Sequence, residues 1–269
     1  MADELKVYYN DDPDPEKAGQ GLAMAPLLEK ILGTASNYWL MTPAEQVGLI
    51  YLLEQINPCV GIEIGVRFGG SLQVMAKYCD CVYALDSDPD VPEKMEGRYP
   101  NVEYLTGLSS DTLPPLIDRL KGEEAKLAFV LVDGDHSSEG VRADINQILR
   151  YRPVVPLYIV LHDSFNPICR QGIRTAGWAE SPYVHAVELD FIPGLVNPSP
   201  AFRGQLWGGL ALAILLPEPR QDRFEVTGRC EFMFQKVSEV VPLPEDGDKT
   251  DAEPGFGRRF RNTLIDWLK

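Results

Sequence analysis

The sequence has few of the residues that define several protein classes. Its five cysteines are an odd number, and Cys79 and Cys81 lie one residue apart, a spacing that suits neither a disulfide framework nor a zinc knuckle. No apolar run reaches the length of a membrane span. The first residues also lack the basic start and apolar core of a signal peptide. We therefore expect reduced thiols, a cytoplasmic location and no membrane partner.

Basic residues are scarce as well. The chain has 25 lysines and arginines against 40 acidic residues, which gives a formal net charge of −15. A protein that binds phosphate backbones needs a basic stripe, and the nearest approach to one is Arg258-Arg259-Phe260-Arg261. The composition argues against nucleic acid and favours a small-molecule or glycan substrate. It leaves open whether the chain forms a homo-oligomer.

The order of elements suggests one main domain with two short flanking segments. Residues 1–41 are expected to form an N-terminal helical extension, and 42–243 the main domain. Thr42, Pro43 and Glu45 carry the signals of a helix start, because threonine can cap, proline suits the first helical position and glutamate completes a capping box. Residues 244–269 should form a polar linker and a C-terminal amphipathic helix.

Short apolar runs alternate with helical segments through most of the main domain. The runs predict strands at 60–65, 82–86, 102–107, 127–133 and 157–163, followed by two strands with no helix between them at 184–191 and 208–217. Such alternation predicts an α/β fold with a parallel sheet covered on both faces. We expect a doubly wound, Rossmann-like sheet of seven strands, of which five are parallel and two form a C-terminal antiparallel hairpin.

The first strand and its turn have the sequence GIEIGVRFGGS, from Gly61 to Ser71. A dinucleotide fingerprint would have a second glycine where this chain has Arg67. The stretch instead resembles motif I of the class I S-adenosyl-L-methionine-dependent methyltransferases, E-x-G-x-x-x-G-G-S. That resemblance implies that Glu63, Gly65, Gly69 and Ser71 contact the cofactor. The alternative is a tight strand-to-helix turn of the kind found in any α/β protein.

Two further segments agree with a nucleoside-containing cofactor. Asp86 ends the second strand about twenty residues after the glycine turn, where a carboxylate can accept both ribose hydroxyls. The resemblance places adenine-contacting residues at Leu108 and Ser109, and it adds Asp133 to the cofactor-binding set.

The fourth strand ends in VDGDHSSEGVRAD, residues 132–144. This stretch closely resembles the D-G-D-H-x-x-E-x-V-x-x-D signature of sugar and macrolide O-methyltransferases of the macrocin type, and it parallels the catechol and caffeoyl-CoA O-methyltransferases. The resemblance implies that Asp133, His162 and Asp163 bind Mg²⁺ or another divalent metal, and that His136 and Asp135 are catalytic, with His136 as the base. Two structural alternatives stay open, in which Asp135 and His136 cap the next helix and His162 is a packed strand-end residue.

Together these motifs predict an enzyme that methylates a hydroxyl of a sugar or small natural product. The resemblance also implies that a divalent metal assists the reaction. A nitrogen acceptor is not excluded. The loop 192–207, with its Phe202 and Trp207, is expected to be a lid or an acceptor wall. The alternatives from other classes are a non-catalytic binding protein that keeps the fold and an NAD-dependent oxidoreductase.

Overall fold

The computed structural model describes residues 39–95, 97–197 and 204–242. Most of the expected N-terminal extension, and the whole linker and C-terminal helix at 244–269, lie outside the described residues. Within the described residues no helix is long and apolar enough to cross a membrane.

One large sheet organises the described part of the chain. The strands of the described residues are β1 Val60–Ile64, β2 Cys81–Asp86, β3 Val102–Thr106, β4 Leu127–Val132, β5 Leu157–His162, β6 Val184–Ile192, β7 Leu195–Val196, β8 Leu206–Trp207, β9 Leu210–Leu215 and β10 Val226–Thr227. In the large sheet they lie in the order β3-β2-β1-β4-β5-β9-β6-β10. Strands β1 to β5 run parallel, whereas β9 pairs antiparallel with both β5 and β6.

Helices connect the parallel strands. The helix α1 has the predicted capping box, in which Thr42 and Glu45 each bond the backbone N–H of the other. Ser137 caps α5 by accepting a hydrogen bond from the Gly140 N–H. The helices are α1 Pro43–Ile56, α2 Leu72–Tyr78, α3 Val91–Lys94, α4 Ser109–Gly122, α5 Ser138–Ile148, α6 Pro167–Thr175 and α7 Glu231–Ser238.

The core lies between the sheet and these helices. All six residues of β4, at the centre of the sheet, are buried, as expected for a parallel strand covered on both faces. Leu113 and Ile117 of α4 and Ile145 of α5 pack into the same apolar cluster. The predicted doubly wound α/β fold and its antiparallel C-terminal pair are confirmed.

The number of strands differs from the prediction of seven. The sheet has an eighth strand, β10, which pairs parallel with β6 through Val226 and Thr227. A two-residue strand is too short to show a periodic pattern in the sequence. The loop 192–207 also contains a small ribbon, in which Leu195 pairs with Trp207 and Val196 with Leu206; residues 198–203, which include Phe202, lie outside the described residues.

Parallel strands place their carboxyl ends at one edge of the sheet, where α/β proteins bind ligands. The strand order puts the ends of β2, β1, β4 and β5 side by side at this edge. The glycine turn, Asp86, Asp133 and the His162-Asp163 pair are therefore neighbours in space, although they are spread over about one hundred residues of sequence.

Candidate active site at the carboxyl edge of the sheet

The glycine turn after β1 packs directly on the end of β4. Gly65 has φ of +89°, and a Cβ at this position would lie 2.1 Å from the carbonyl oxygen of Asp133. Only glycine allows both this backbone conformation and this approach. A larger residue at position 65 would therefore push the β1 and β4 exits apart, in addition to any effect on a bound cofactor.

Asp86 holds the same turn from the β2 side. Its Oδ2 accepts hydrogen bonds from the N–H groups of Val66 at 2.8 Å and Arg67 at 2.7 Å. Its Oδ1 accepts one from the N–H of Asp88 at 2.8 Å. A carboxylate has about four acceptor positions, so Asp86 can bind the backbone of the turn and still accept a ligand hydroxyl.

Glu63 is completely buried beneath the turn, and Ser71 donates its hydroxyl hydrogen bond to Oε1. Within the described part of the chain, Oε2 has no hydrogen-bond partner. Burial raises the pKa of Glu63 to about 8, against the lowering effect of Ser71. The side chain is therefore a neutral carboxylic acid at neutral pH when no ligand is present.

Leu108 and Ser109 lie at the start of α4, after β3. Leu108 precedes the helix and is 61% exposed, so its side chain is accessible to a flat ligand. Ser109 is hydrogen-bonded to Asp144 of α5, whose pKa is raised to about 6 by burial. Gly69 lies in the turn with φ of +72°, and Gly70 next to it packs against the backbone of Trp39.

The ends of β4 and β5 bring two acids and two histidines together in a ring, which we call the His-Asp ring: Asp133, His136, His162 and Asp163. Oδ1 of Asp133 lies 2.9 Å from Nδ1 of His162 and 3.4 Å from Nε2 of His136. Oδ2 of Asp163 lies 3.3 Å from Nε2 of His136 and 3.4 Å from Nδ1 of His162. Each acid thus faces both imidazoles.

The ring has a shallow side and a deep side. The side chain of His136 is 35% exposed, whereas that of His162 is 10% exposed. The ring of Trp207, from β8, contacts His136 edge-on, with 5.8 Å between centroids. His136 is therefore the member that an acceptor molecule would meet first, and the 192–207 loop supplies part of its surroundings.

The neighbouring charges decide whether the pKa of each residue in the His-Asp ring is raised or lowered. Burial opposes ionisation of Asp133 and Asp163, but the imidazoles, His162 first, outweigh it and hold the pKa of each acid below its ordinary value. Burial likewise opposes protonation of the histidines, and the two acids outweigh it and raise the pKa of His136 and of His162. Both imidazoles consequently have increased affinity for a proton.

Asp163 has a backbone conformation that is rare outside glycine, with φ of +56°. The N–H of Gly208 donates a 2.7 Å hydrogen bond to its Oδ1, which leaves Oδ2 facing the two histidines. Strained backbone that is fixed by surrounding hydrogen bonds occurs preferentially at functional sites.

Asp135, the second predicted catalytic residue, lies apart from this ring. It is exposed, and its Oδ1 accepts a hydrogen bond from the N–H of Ser137 at 2.8 Å. This contact is the helix-start role that the sequence left as an alternative. The remaining predicted residues converge at the sheet edge, and Glu45, which we interpreted only as a capping residue, joins them from α1.

Comparison with known proteins agrees with this geometry. Residues 62–164 match the model of a family described as "Methyltransferase domain". The matched segment runs from β1 to the residue after Asp163, so it contains the glycine turn, Asp86 and the whole His-Asp ring. Residues 62–164 are thus similar to a methyltransferase domain.

The curated relatives of this methyltransferase domain include rhamnosyl O-methyltransferases from Mycobacterium bovis and Mycobacterium tuberculosis. They are 29% identical over 122 residues, which cover 42% of this chain and 49% of the relatives. The chain therefore spans about half the length of the curated relatives it matches.

Solved structures share the fold. The cofactor-bound protein Rv0187 from MTB has a TM-score of 0.50 at 22% identity, covering 77% of this chain and 100% of that one. The O-methyltransferase TomG from Streptomyces achromogenes, solved in complex with SAM, has a TM-score of 0.50 at 16% identity, covering 76% and 91%. At these identities the likeness concerns the fold of the methyltransferase domain alone.

The donor atoms of the methyltransferase domain fit a divalent cation. Ligand atoms of Asp133, His136 and Asp163 lie within 4.8 Å of one another, and Nδ1 of His162 lies within 3.4 Å of both acids. With metal–ligand distances of about 2.1 Å, neighbouring ligand atoms are about 3.0 Å apart in an octahedron and about 3.4 Å apart in a tetrahedron. The four acid–imidazole distances of 2.9 to 3.4 Å fall in this range. A mixed nitrogen and oxygen set suits manganese, iron or zinc as well as magnesium.

Proposed function

We propose that this chain is an S-adenosyl-L-methionine-dependent methyltransferase that transfers a methyl group to a hydroxyl of a glycan or another small molecule. The observation that carries the proposal is the position of His136. Its Nε2 lies between two acids at the carboxyl edge of the sheet, its side chain is accessible, and the glycine turn packs on the strand that delivers it.

The cofactor would lie across the ends of β1, β2 and β3. Asp86 has acceptor capacity left for one ribose hydroxyl, the exposed Leu108 offers an apolar contact for the adenine, and Ser109 lies beside it. When bound, S-adenosyl-L-methionine supplies a methyl group made electrophilic by its sulfonium. The task of the protein is then to align the acceptor and remove its proton.

His136 is the residue suited to removing that proton. A general base must accept a proton near neutral pH from a group within hydrogen-bond reach. Asp133 and Asp163 would stabilise the imidazolium that results, since each presents an oxygen within 3.4 Å of its Nε2. The edge contact with Trp207 would help to hold the imidazole in this orientation.

We assign the metal to Asp133, His162 and Asp163 and keep His136 as the base. The exposures support this division, because His162 is the deep member and His136 the accessible one. A divalent ion held there would act as a Lewis acid that lowers the pKa of an acceptor hydroxyl and fixes its direction. Metal binding needs an unprotonated imidazole, so affinity should fall at low pH.

For the acceptor we propose a chemical class. A net charge of −15 disfavours a polyanion, and the curated relatives are named for a rhamnosyl acceptor. We therefore propose a hydroxyl on a neutral glycan, such as a rhamnoside, placed at the exposed side of His136.

The experiment is methyl transfer from labelled S-adenosyl-L-methionine to a panel of neutral glycosides and phenols, with and without excess chelator, and with metals added back singly. His136→Ala should abolish most transfer while retaining metal, whereas His162→Ala should lose both. His185→Ala is the matched control, since His185 is exposed, its Nε2 bonds the Glu218 carbonyl, and its strand β6 is separated from β5 by β9. Full activity of His136→Ala, or equal activity in chelator, would contradict the corresponding part of the proposal.

A further inference from the structure

Glu45 is an acid buried beside the His-Asp ring, although it belongs to α1 and lies outside the segment 62–164. Its Oε2 accepts the hydrogen bond from the Thr42 N–H that completes the capping box. Its Oε1 accepts another from the N–H of Gly209. A capping glutamate normally faces solvent, so burial of this one calls for a further role.

The nearest ring member is His162. Its Nε2 lies 3.8 Å from Oε2 of Glu45, and within the described residues this buried nitrogen has no hydrogen-bond partner. Its other nitrogen, Nδ1, faces Asp133 and Asp163. The imidazole is thus placed between the metal-binding acids on one side and the Glu45 carboxylate on the other.

This arrangement has a chemical consequence. A histidine that binds a metal through Nδ1 carries its proton on Nε2, and it usually donates that proton to a carboxylate or carbonyl that fixes the ring. Glu45 is the carboxylate on that side of His162. In the hydrogen bonds given above, each carboxylate oxygen of Glu45 accepts from one backbone N–H. Oε2 therefore has a lone pair left for the proton on Nε2.

The turn Gly208–Gly209 holds Glu45 in this place. Both glycines have positive φ, at +71° and +84°, and a Cβ on Gly208 would lie 2.6 Å from Oε1 of Glu45. The Gly209 N–H bonds Glu45, while the Gly208 N–H bonds Asp163. One turn therefore sets the position of Glu45 relative to a metal ligand.

We propose that Glu45 is a positioning residue for the metal: it accepts the Nε2 proton of His162 and so directs Nδ1 toward the ion. This inference rests on the proposed metal site. It gives the first turn of α1 a function in the site that its capping role does not explain.

The test is titration of the full chain with Mn²⁺ alone. The paramagnetic resonance signal of the free ion measures how much Mn²⁺ stays unbound. Glu45→Gln should weaken Mn²⁺ binding by about 10- to 100-fold, the usual effect of removing such a partner. Thr42→Ala is the matched control, since it removes the capping hydroxyl but retains the Glu45 carboxylate, and it should leave Mn²⁺ affinity unchanged.

The possible results distinguish failure of the metal site from failure of the role of Glu45. Absence of Mn²⁺ binding in the unaltered chain would overturn the metal site and the role of Glu45 together. Normal binding by the unaltered chain, with no loss in Glu45→Gln or with equal losses in Thr42→Ala and Glu45→Gln, would overturn the role of Glu45 alone. Imidazole ¹⁵N shifts of the Zn²⁺-loaded unaltered chain give the answer even if a variant does not fold: protonated Nε2 on His162 supports the proposal, and protonated Nδ1 refutes it.

Discussion

Replacement of Glu63 by glutamine should change how the stability of the protein depends on pH. In the folded chain burial raises the pKa of Glu63 from 4.5 to about 8, so the carboxyl stays protonated there while it ionises in the unfolded chain. The contribution of the Glu63 carboxyl to the free energy of unfolding is fully present below pH 4.5. It decreases as the pH rises to about 8 and is lost above that pH. That range corresponds to about 5 kcal/mol at about 1.4 kcal/mol per pH unit.

Glu63→Gln removes the titrating group but keeps an oxygen that can accept the Ser71 hydrogen bond. The variant should match the unaltered chain near pH 4.5 and become progressively more stable than it, with a difference approaching about 5 kcal/mol at pH 8.5. Contributions of the ring histidines are common to both proteins and cancel in the difference.

The assay is urea denaturation of the ligand-free protein, followed by circular dichroism at one-unit steps from pH 4.5 to 8.5. Glu93→Gln, at an exposed position of α3, corrects for the loss of one acidic group. A stability difference that does not change with pH would refute the inference that Glu63 is a neutral acid in the fold.

Four further predictions concern the site. His136→Ala should lower methyl transfer by roughly 10²- to 10⁴-fold in a radiolabel assay with cofactor affinity retained, as expected for loss of a general base, and full activity would remove that role. Asp86→Ala should weaken S-adenosylhomocysteine by about 1–3 kcal/mol in calorimetry, and unchanged affinity would contradict the ribose contact. Gly65→Val should lower the melting temperature as well as cofactor affinity, because its side chain meets the Asp133 carbonyl; a normally stable variant that only loses binding would show that the steric block acts on the cofactor alone. Replacing 192–207 with a short Gly-Ser turn should preserve cofactor binding and eliminate turnover, and normal turnover would show that the loop is only a surface feature.

The elements that could be predicted from sequence are those with local signals. The six-residue run of β4 and the Thr42–Glu45 capping box are visible in a short window, so β4 and α1 were predicted closely. The helix α6 also has a local signal, since Asn166 caps it and Pro167 occupies its first position, but its apolar residues are too few to show a periodic stripe.

Elements that depend on distant partners could not be predicted in this way. The helix α7 is tied to the body of the domain by Glu231, which accepts hydrogen bonds from Arg170 and Arg174 of α6. The two residues of β10 form a strand only because β6 lies beside them. Neither arrangement leaves a pattern within its own segment.

The candidate site shows the same division. Asp133, His136 and the His162-Asp163 pair could be placed together because strand ends meet at one edge of a parallel sheet. Asp135 has the same sequence context but points to the helix start, which only side-chain geometry reveals. Glu45 was missed as a site residue because its hydrogen bond to Gly209 joins positions 164 residues apart.

Isothermal titration of the full chain with S-adenosylhomocysteine, and separately with NAD, shows which cofactor the glycine turn and Asp86 bind. We expect that S-adenosylhomocysteine binds at one site per chain, that Asp86→Ala weakens it, and that NAD gives no heat of binding. Binding of NAD, or no binding of S-adenosylhomocysteine by the folded protein, would contradict the assignment of the glycine turn and Asp86 to a methyl donor.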